Sequence, residues 1–321
     1  MRRRKFIIAL AGAAILATMS RASAQQAKTI RRIGFLRNGP PPRTFIESFV
    51  QGLRELGYVE GENLVIEYSL ANSAEELPEA AAKLVRLNVD VIIASGSVAA
   101  AQNATRTIPI VFVASIDPIA TGIVDSLAHP GHNVTGFAGI HADLMGKRLE
   151  LMKEIIPGLS RVALFSHAMN AGNTEDIRQA EPVAKVLGLQ IQVVAVRSAG
   201  DFEGAFREMR GAGGVIQLDD VLFTTYRSQI VELAAKERLP AIYGFGEFAE
   251  VGGLISYGSD LPGQYRSAAG YVDKIFKGTS PADLPVQQPT KLELIVNLKT
   301  ARSLGLQIPT TVLTRADKVL D

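Results

Sequence analysis

Residues Asp90–Pro118 read DVIIASGSVAAAQNATRTIPIVFVASIDP, and the order of apolar and polar blocks in this stretch decides the fold class. Val89 and the run Val91-Ile92-Ile93-Ala94 are too continuously apolar for a strand with one wet face, so they fit a parallel sheet covered on both sides. The run stops at Ser95-Gly96-Ser97, where Ser95 or Ser97 can cap a short helix whose free N–H groups would seat a carboxylate. Ile110–Val113 repeats the pattern and empties into Ala114-Ser115-Ile116-Asp117-Pro118, where Asp117 can cap a helix that Pro118 opens. In an open α/β sheet such loops gather beyond the carboxyl ends of the strands, where ligands bind.

The same alternation extends outward in both directions. Upstream lie strands at Ile30–Leu36 and Asn63–Tyr68, with helices at Phe45–Leu56 and Glu75–Leu87. Phe45, Phe49, Leu53 and Leu56 recur at the three- and four-residue spacing of one buried helical face. Downstream, Pro118–Leu127 reads as a short helix and Asn133–Phe137 as a strand, with Gly139 as a hinge. A second series follows: helix Leu144–Ile155, strand Arg161–Phe165, helix Asn173–Leu187, strand Leu189–Val196, helix Phe202–Met209, strand Gly214–Leu218, helix Tyr226–Arg238, then strands Pro240–Tyr243 and Gly253–Tyr257. The tail adds a helix at Leu261–Phe276, an edge-like strand at Leu284–Val286, a strand at Leu292–Val296 and a last helical turn at Ala316–Leu320. Two successive β-α series favour two doubly wound domains over a closed barrel.

Export is written into the first residues. Arg2-Arg3-Arg4-Lys5, the apolar run Phe6–Ala17 and the small-residue pattern Ala22-Ser23-Ala24 form a secretory signal, and Arg3-Arg4-Lys5-Phe6-Ile7 also fits a twin-arginine route. Cleavage after Ala24 would remove five basic residues and no acidic one, turning a formal charge of +2 into −3. A nucleic-acid partner thereby loses its compositional support. The chain has no Cys, so neither disulfides nor a lipid-anchoring thiol are available, and a soluble periplasmic product is expected.

With loops and tail laid out, the chain resembles the exported substrate-binding proteins of ABC transporters. The stretches that carry the resemblance are Gln51–Val59 (QGLRELGYV) with Glu60-Gly61-Glu62-Asn63, Leu84–Ile93, Thr107–Phe112, Asp117-Pro118, Asn133–Gly136, Gly146–Glu150, Ile230–Pro240, Gly252–Gly258, Tyr271–Ile275, Pro281–Pro285 and Pro289–Leu306. The resemblance implies a type I periplasmic-binding-protein fold: two doubly wound parallel-sheet domains, a central cleft and three crossover segments. It places residues 28–138 with about 258–288 in the first domain, and 139–257 with about 289–321 in the second. It also implies an amino-acid-like solute such as an aromatic amino acid, an ABC transporter permease in the inner membrane as partner, a monomer, no cofactor and no nucleic acid.

Closure of such a fold would bring strand-end loops of both domains onto one solute. From the first domain come the loop Leu36–Asn38, with Leu36 and Asn38, then Ser95, Gly96, Ser97, Ser115 and Asp117, and from the second Ser166, His167, Asp219 or its neighbour Asp220, Tyr243 and Glu247. Ser95, Ser97 and the helix start would hold a carboxylate, and Asp219, Asp117 or Glu247 an ammonium. Tyr243, Phe245 or Phe137 would supply a flat apolar wall. Asp117 and the serines can equally be plain caps, and Phe245 plain core. His129 and His132, around Pro130-Gly131, lack the spacing of a metal site, so no metal is expected. Neither a GxSxG elbow, a P-loop nor a GxGxxG helix start is present, which argues against the commonest α/β enzymes. A sensory role, presenting solute to a receptor, differs from transport by partner and not by fold.

Overall fold

The computed structural model describes residues 30–321 apart from Ile116, Ile140, His141 and Thr290, and apart from the side chains of Ala142 and Asp143. The stretch 1–24, expected from its sequence to be an export signal, lies outside the described residues. The first lobe is built on a five-stranded sheet of β1 (Arg31–Asn38), β2 (Leu64–Ala71), β3 (Val91–Ser95), β4 (Ile110–Ser115) and β5 (Val134–Ala138), in the order β2-β1-β3-β4-β5. All its pairings are parallel, and every residue of β3 is buried, as its unbroken apolar run demands. Helices α1 (Arg43–Glu55), α2 (Leu77–Arg86) and α3 (Val98–Ala104) connect the strands.

The second lobe repeats this topology. Its strands β6 (Arg161–His167), β7 (Gln190–Val196), β8 (Gly214–Gln217), β9 (Ala241–Tyr243) and β10 (Ile255–Ser259) stand in the order β7-β6-β8-β9-β10 and are parallel. Around them lie α4 (Ala142–Ile155), α5 (Ala171–Val186), α6 (Phe202–Glu208), α7 (Val221–Thr225), α8 (Arg227–Lys236) and α9 (Gly246–Glu250). The order reverses between β1 and β3 in one lobe and between β6 and β8 in the other. Each lobe therefore has a topological switch point at which a crevice opens beyond the strand ends.

Three passages of chain join the lobes: between β5 and α4, between β10 and α10 (Leu261–Phe276), and in residues 288–291 before β11 (Leu292–Asn297). After the second lobe the chain returns to the first, where α10 packs on α1. The contact is aromatic: Tyr265 of α10 stacks on Phe45 of α1 at 4.8 Å, with Phe35 of β1 at 6.1 Å. The third passage leads into β11, which extends the second sheet antiparallel to β10.

Three elements differ from the sequence reading. Pro118–Leu127 is a set of turns and not a helix. Asp117 has a φ of 37° and caps a single turn through Ala120 N–H, and the chain then folds back as Val124 N–H donates to Pro118 O. Leu284–Val286 is not a strand, because Pro285 and Pro289 cannot donate to a ladder. Its bonds across are scattered: Val286 and Gln287 N–H donate to Leu127 O and Gly136 O, the Leu284 carbonyl accepts the Thr135 hydroxyl, and the Gln287 carbonyl accepts Ala138 N–H in a single isolated bridge. The tail does not end in a helical turn: α11 (Leu298–Leu304) and α12 (Thr310–Arg315) are followed by β12 (Lys318–Leu320), which pairs in parallel with β11. An edge strand with unpaired N–H and C=O groups is a stronger attractor for five residues than an isolated turn of helix.

Candidate functional site: the cleft between the lobes

The strand ends at the two switch points face one another across a cavity of about 450 Å³. The first lobe lines it with Arg37, Asn38, Phe45, Leu77, Ser95–Ala100 and Ser115, and the second with His167, Met169–Gly172, Asp219–Leu222, Thr224 and Phe245. Phe45, Leu77, Val98, Val221 and Leu222 make much of the wall apolar. A few polar groups among largely apolar walls in a cavity of this size fit a small organic solute.

Of the residues singled out from sequence, Asn38, Ser95, Gly96, Ser97, Ser115, His167 and Asp219 line the cavity, and Leu36, Asp117, Phe137, Ser166, Tyr243 and Glu247 do not. Leu36 faces the core, and its carbonyl accepts the Ser97 hydroxyl at 2.8 Å. Ser97 thus ties α3 to β1 and makes no side-chain cap. Phe137 packs 5.0 Å from Tyr271, and Tyr243 stacks on Phe248 at 4.7 Å, so both are core aromatics. Ser166 is buried one residue before the cavity-facing His167.

Asp219 is at the cavity wall but already holds a cation. Its Oδ2 accepts Arg148 Nη2 at 3.0 Å, and both side chains are essentially inaccessible to water. Arg148 also donates from Nε to Tyr257 O at 2.9 Å. Its neighbour Asp220 is equally engaged, accepting Asn170 Nδ2 at 2.7 Å and Leu222 N–H at 2.6 Å, with His167 Nδ1 3.1 Å away. Burial lowers the His167 pKa, but the adjoining Asp220 outweighs it and the net shift is upward. By NMR, His167 is expected to titrate above the ordinary histidine value of 6.5 and to fall back in Asp220→Asn. Titration below that value in the unmodified chain would contradict the pairing.

Arg37 and Asp220, which lie in the strand-end loops Leu36–Asn38 and Asp219-Asp220, also line the cavity. Arg37 ends the buried strand β1 and is itself 1% exposed. Its Nη1 donates to Pro40 O at 2.8 Å, Gly39 O at 3.1 Å and Thr225 Oγ1 at 3.1 Å, and its Nη2 to Thr224 Oγ1 at 2.8 Å. A side chain of the first lobe thus ties into α7 of the second. Burial pushes the guanidinium down from its ordinary value, although Tyr265 and Asp220 oppose this. Arg37 follows the buried apolar run Ile33–Leu36, but its partners 187 residues away were not visible.

Two glycines set how near the lobes come. At Gly96, with φ +64°, a Cβ would lie 2.4 Å from Cγ2 of Val221 in the facing lobe. At Gly39, with φ +74°, it would lie 2.7 Å from Cγ2 of Thr225. No other residue type allows this backbone conformation and this approach together.

Among the described residues, no helix is long and apolar enough to cross a membrane, and no three His, Cys, Asp or Glu side chains gather as metal ligands.

Two equivalent α/β lobes, three joining passages and a cavity between strand ends define a type I periplasmic-binding-protein fold. The family model for ABC transporter substrate binding proteins matches residues 38–320, and the chain belongs to that family. It is 26% identical over 267 residues to a tyrosine-binding protein of Clostridioides difficile, an alignment covering 81% of this chain and 76% of that protein. A domain from Streptococcus pneumonia solved in complex with L-Trp is 22% identical, with a TM-score of 0.84 over 91% of this chain and 100% of that one. A ligand-free, open substrate binding protein with adhesive properties from Clostridium difficile is 24% identical, with a TM-score of 0.64 over 91% of this chain and 99% of the other.

Proposed function

We propose that this chain is the extracytoplasmic capture component of an ABC importer. It would take up a small carboxylate-bearing solute with an apolar body, the class that includes the aromatic amino acids, by closing its lobes and then delivering the solute to a membrane permease. The observation that carries this reading is the cavity between the lobes, with largely apolar walls and a buried arginine at the lobe interface. Hinge closure is supported by the ties from Arg37 to Thr224 and Thr225. It is also supported by an overall shape nearer to the L-Trp-bound relative than to the open one at similar identity. A closed state persists only if solute contacts favour it over the open one. Binding without turnover is supported by the named relatives, which are binding proteins, and by cavity carboxylates that hold structural contacts.

Native mass spectrometry of the chain as purified is expected to find one small molecule per chain. Gly96→Ala should lower that occupancy, because its methyl would meet Val221 before the lobes are shut. We expect at least a tenfold loss of affinity, about 1.4 kcal/mol or more. Product formation from the retained molecule, or unchanged occupancy in Gly96→Ala, would count against capture by closure.

A further inference from the structure

We infer that the solute is a carboxylic acid with an aromatic or similarly flat apolar body, and that a positively charged group on it is not read by the protein. This rests on the capture reading above and narrows it.

The inference comes from balancing charges around the cavity. Asp219 is matched by Arg148 at 3.0 Å, buried on both sides. Asp220 has His167 Nδ1 at 3.1 Å and accepts from Asn170 and from Leu222 N–H, so both of its oxygens are engaged. Glu247 and Asp117 do not reach the cavity. An incoming ammonium therefore meets no carboxylate that is not already committed to a donor, and desolvating it there would be costly.

Arg37 is the opposite case. It is 1% exposed, and every acceptor bonded to it is neutral: main-chain carbonyls and the hydroxyls of Thr224 and Thr225. Its Nε–H makes no hydrogen bond. Nη2 uses one of its two hydrogens on Thr224. The Tyr265 hydroxyl is buried against Arg37 and Ser95, within hydrogen-bonding reach of both, and is a further neutral neighbour of the guanidinium. A buried guanidinium whose bonded acceptors are all neutral, with its Nε–H unused and a cavity serine close by, favours an anion. A carboxylate would supply it, and the apolar walls from Phe45, Val98 and Val221 would take the remaining body.

The test uses three matched sets on the full chain after unfolding and refolding to strip retained solute. Each set holds an amino acid, its des-amino acid and its amine: phenylalanine, 3-phenylpropanoate and phenethylamine; tyrosine, 3-(4-hydroxyphenyl)propanoate and tyramine; tryptophan, indole-3-propanoate and tryptamine. Calorimetric titration is expected to show at least one des-amino acid binding as tightly as its amino acid or tighter, and no amine binding. An amino acid at least tenfold tighter than its des-amino partner would overturn the inference and leave capture intact. Binding of an amine, or of none of the nine compounds, would also overturn it. Capture itself fails on a different readout, a scattering profile that no solute compacts.

Discussion

Asp219→Ala is expected to lower the stability of the folded chain by about 3–5 kcal/mol, because it leaves the Arg148 guanidinium buried without its counter-charge. The pair is separated by 3.0 Å, and its side chains are 1% and 2% exposed, so little solvent is available to take over. Arg148 would keep only the Tyr257 carbonyl. From sequence, Asp219 is a candidate for the ammonium of a bound amino acid, and its replacement would then act on affinity. The structure moves the expected effect to folding. Urea denaturation would measure it, with Arg148→Met/Asp219→Leu as the comparison, since replacing both charges by apolar groups should recover most of the loss. A loss below about 1 kcal/mol in the single variant would mean that the pair carries little.

The second large effect belongs to Glu247. Its carboxyl is 5% exposed, Oε2 has no hydrogen-bond partner, and burial pushes its pKa up to about 7 from the usual 4.5. The unfolded chain then gives up this proton at lower pH than the folded one, so stability falls as pH rises from about 4.5 to about 7 and stays lower above it. The full difference is about 3 kcal/mol. Glu247→Gln removes the ionisation, so it should raise the urea midpoint at pH 8 and leave it nearly unchanged at pH 5. Equal effects at the two pH values would rule out a buried carboxyl of this kind. Glu247 lies outside the cavity lining, and ionising its buried carboxyl is a cost on folding.

Local pattern made much of the architecture legible. Val91–Ser95 is a buried central strand because five successive side chains tolerate no wet face, and α1 follows the spacing of Phe45, Phe49 and Leu53. Legibility ended where a residue's role is set by something far along the chain. Ser97 looks like a helix cap until β1 offers it the Leu36 carbonyl, 61 residues earlier. Lys318–Leu320 has no strand signature of its own and is a strand because β11 presents an open edge. In the cleft, strand ends and polar loops pointed to the right neighbourhood, with Asn38, Ser95 and His167 at the wall. Which neighbour carries the chemistry was decided by tertiary contacts: Arg37 reaches Thr224, and Asp219 is spoken for by Arg148, 71 residues away. Residue type alone could not separate a carboxylate available to a solute from one consumed by the protein.

That two lobes shut over a small acid is tested most directly by small-angle X-ray scattering on the refolded chain, without solute and then saturated with the tightest binder of the matched sets. The radius of gyration should fall on saturation, and fall less in Gly96→Ala. A profile that stays the same at saturating solute, in a chain that calorimetry shows to be bound, would mean that the lobes do not close.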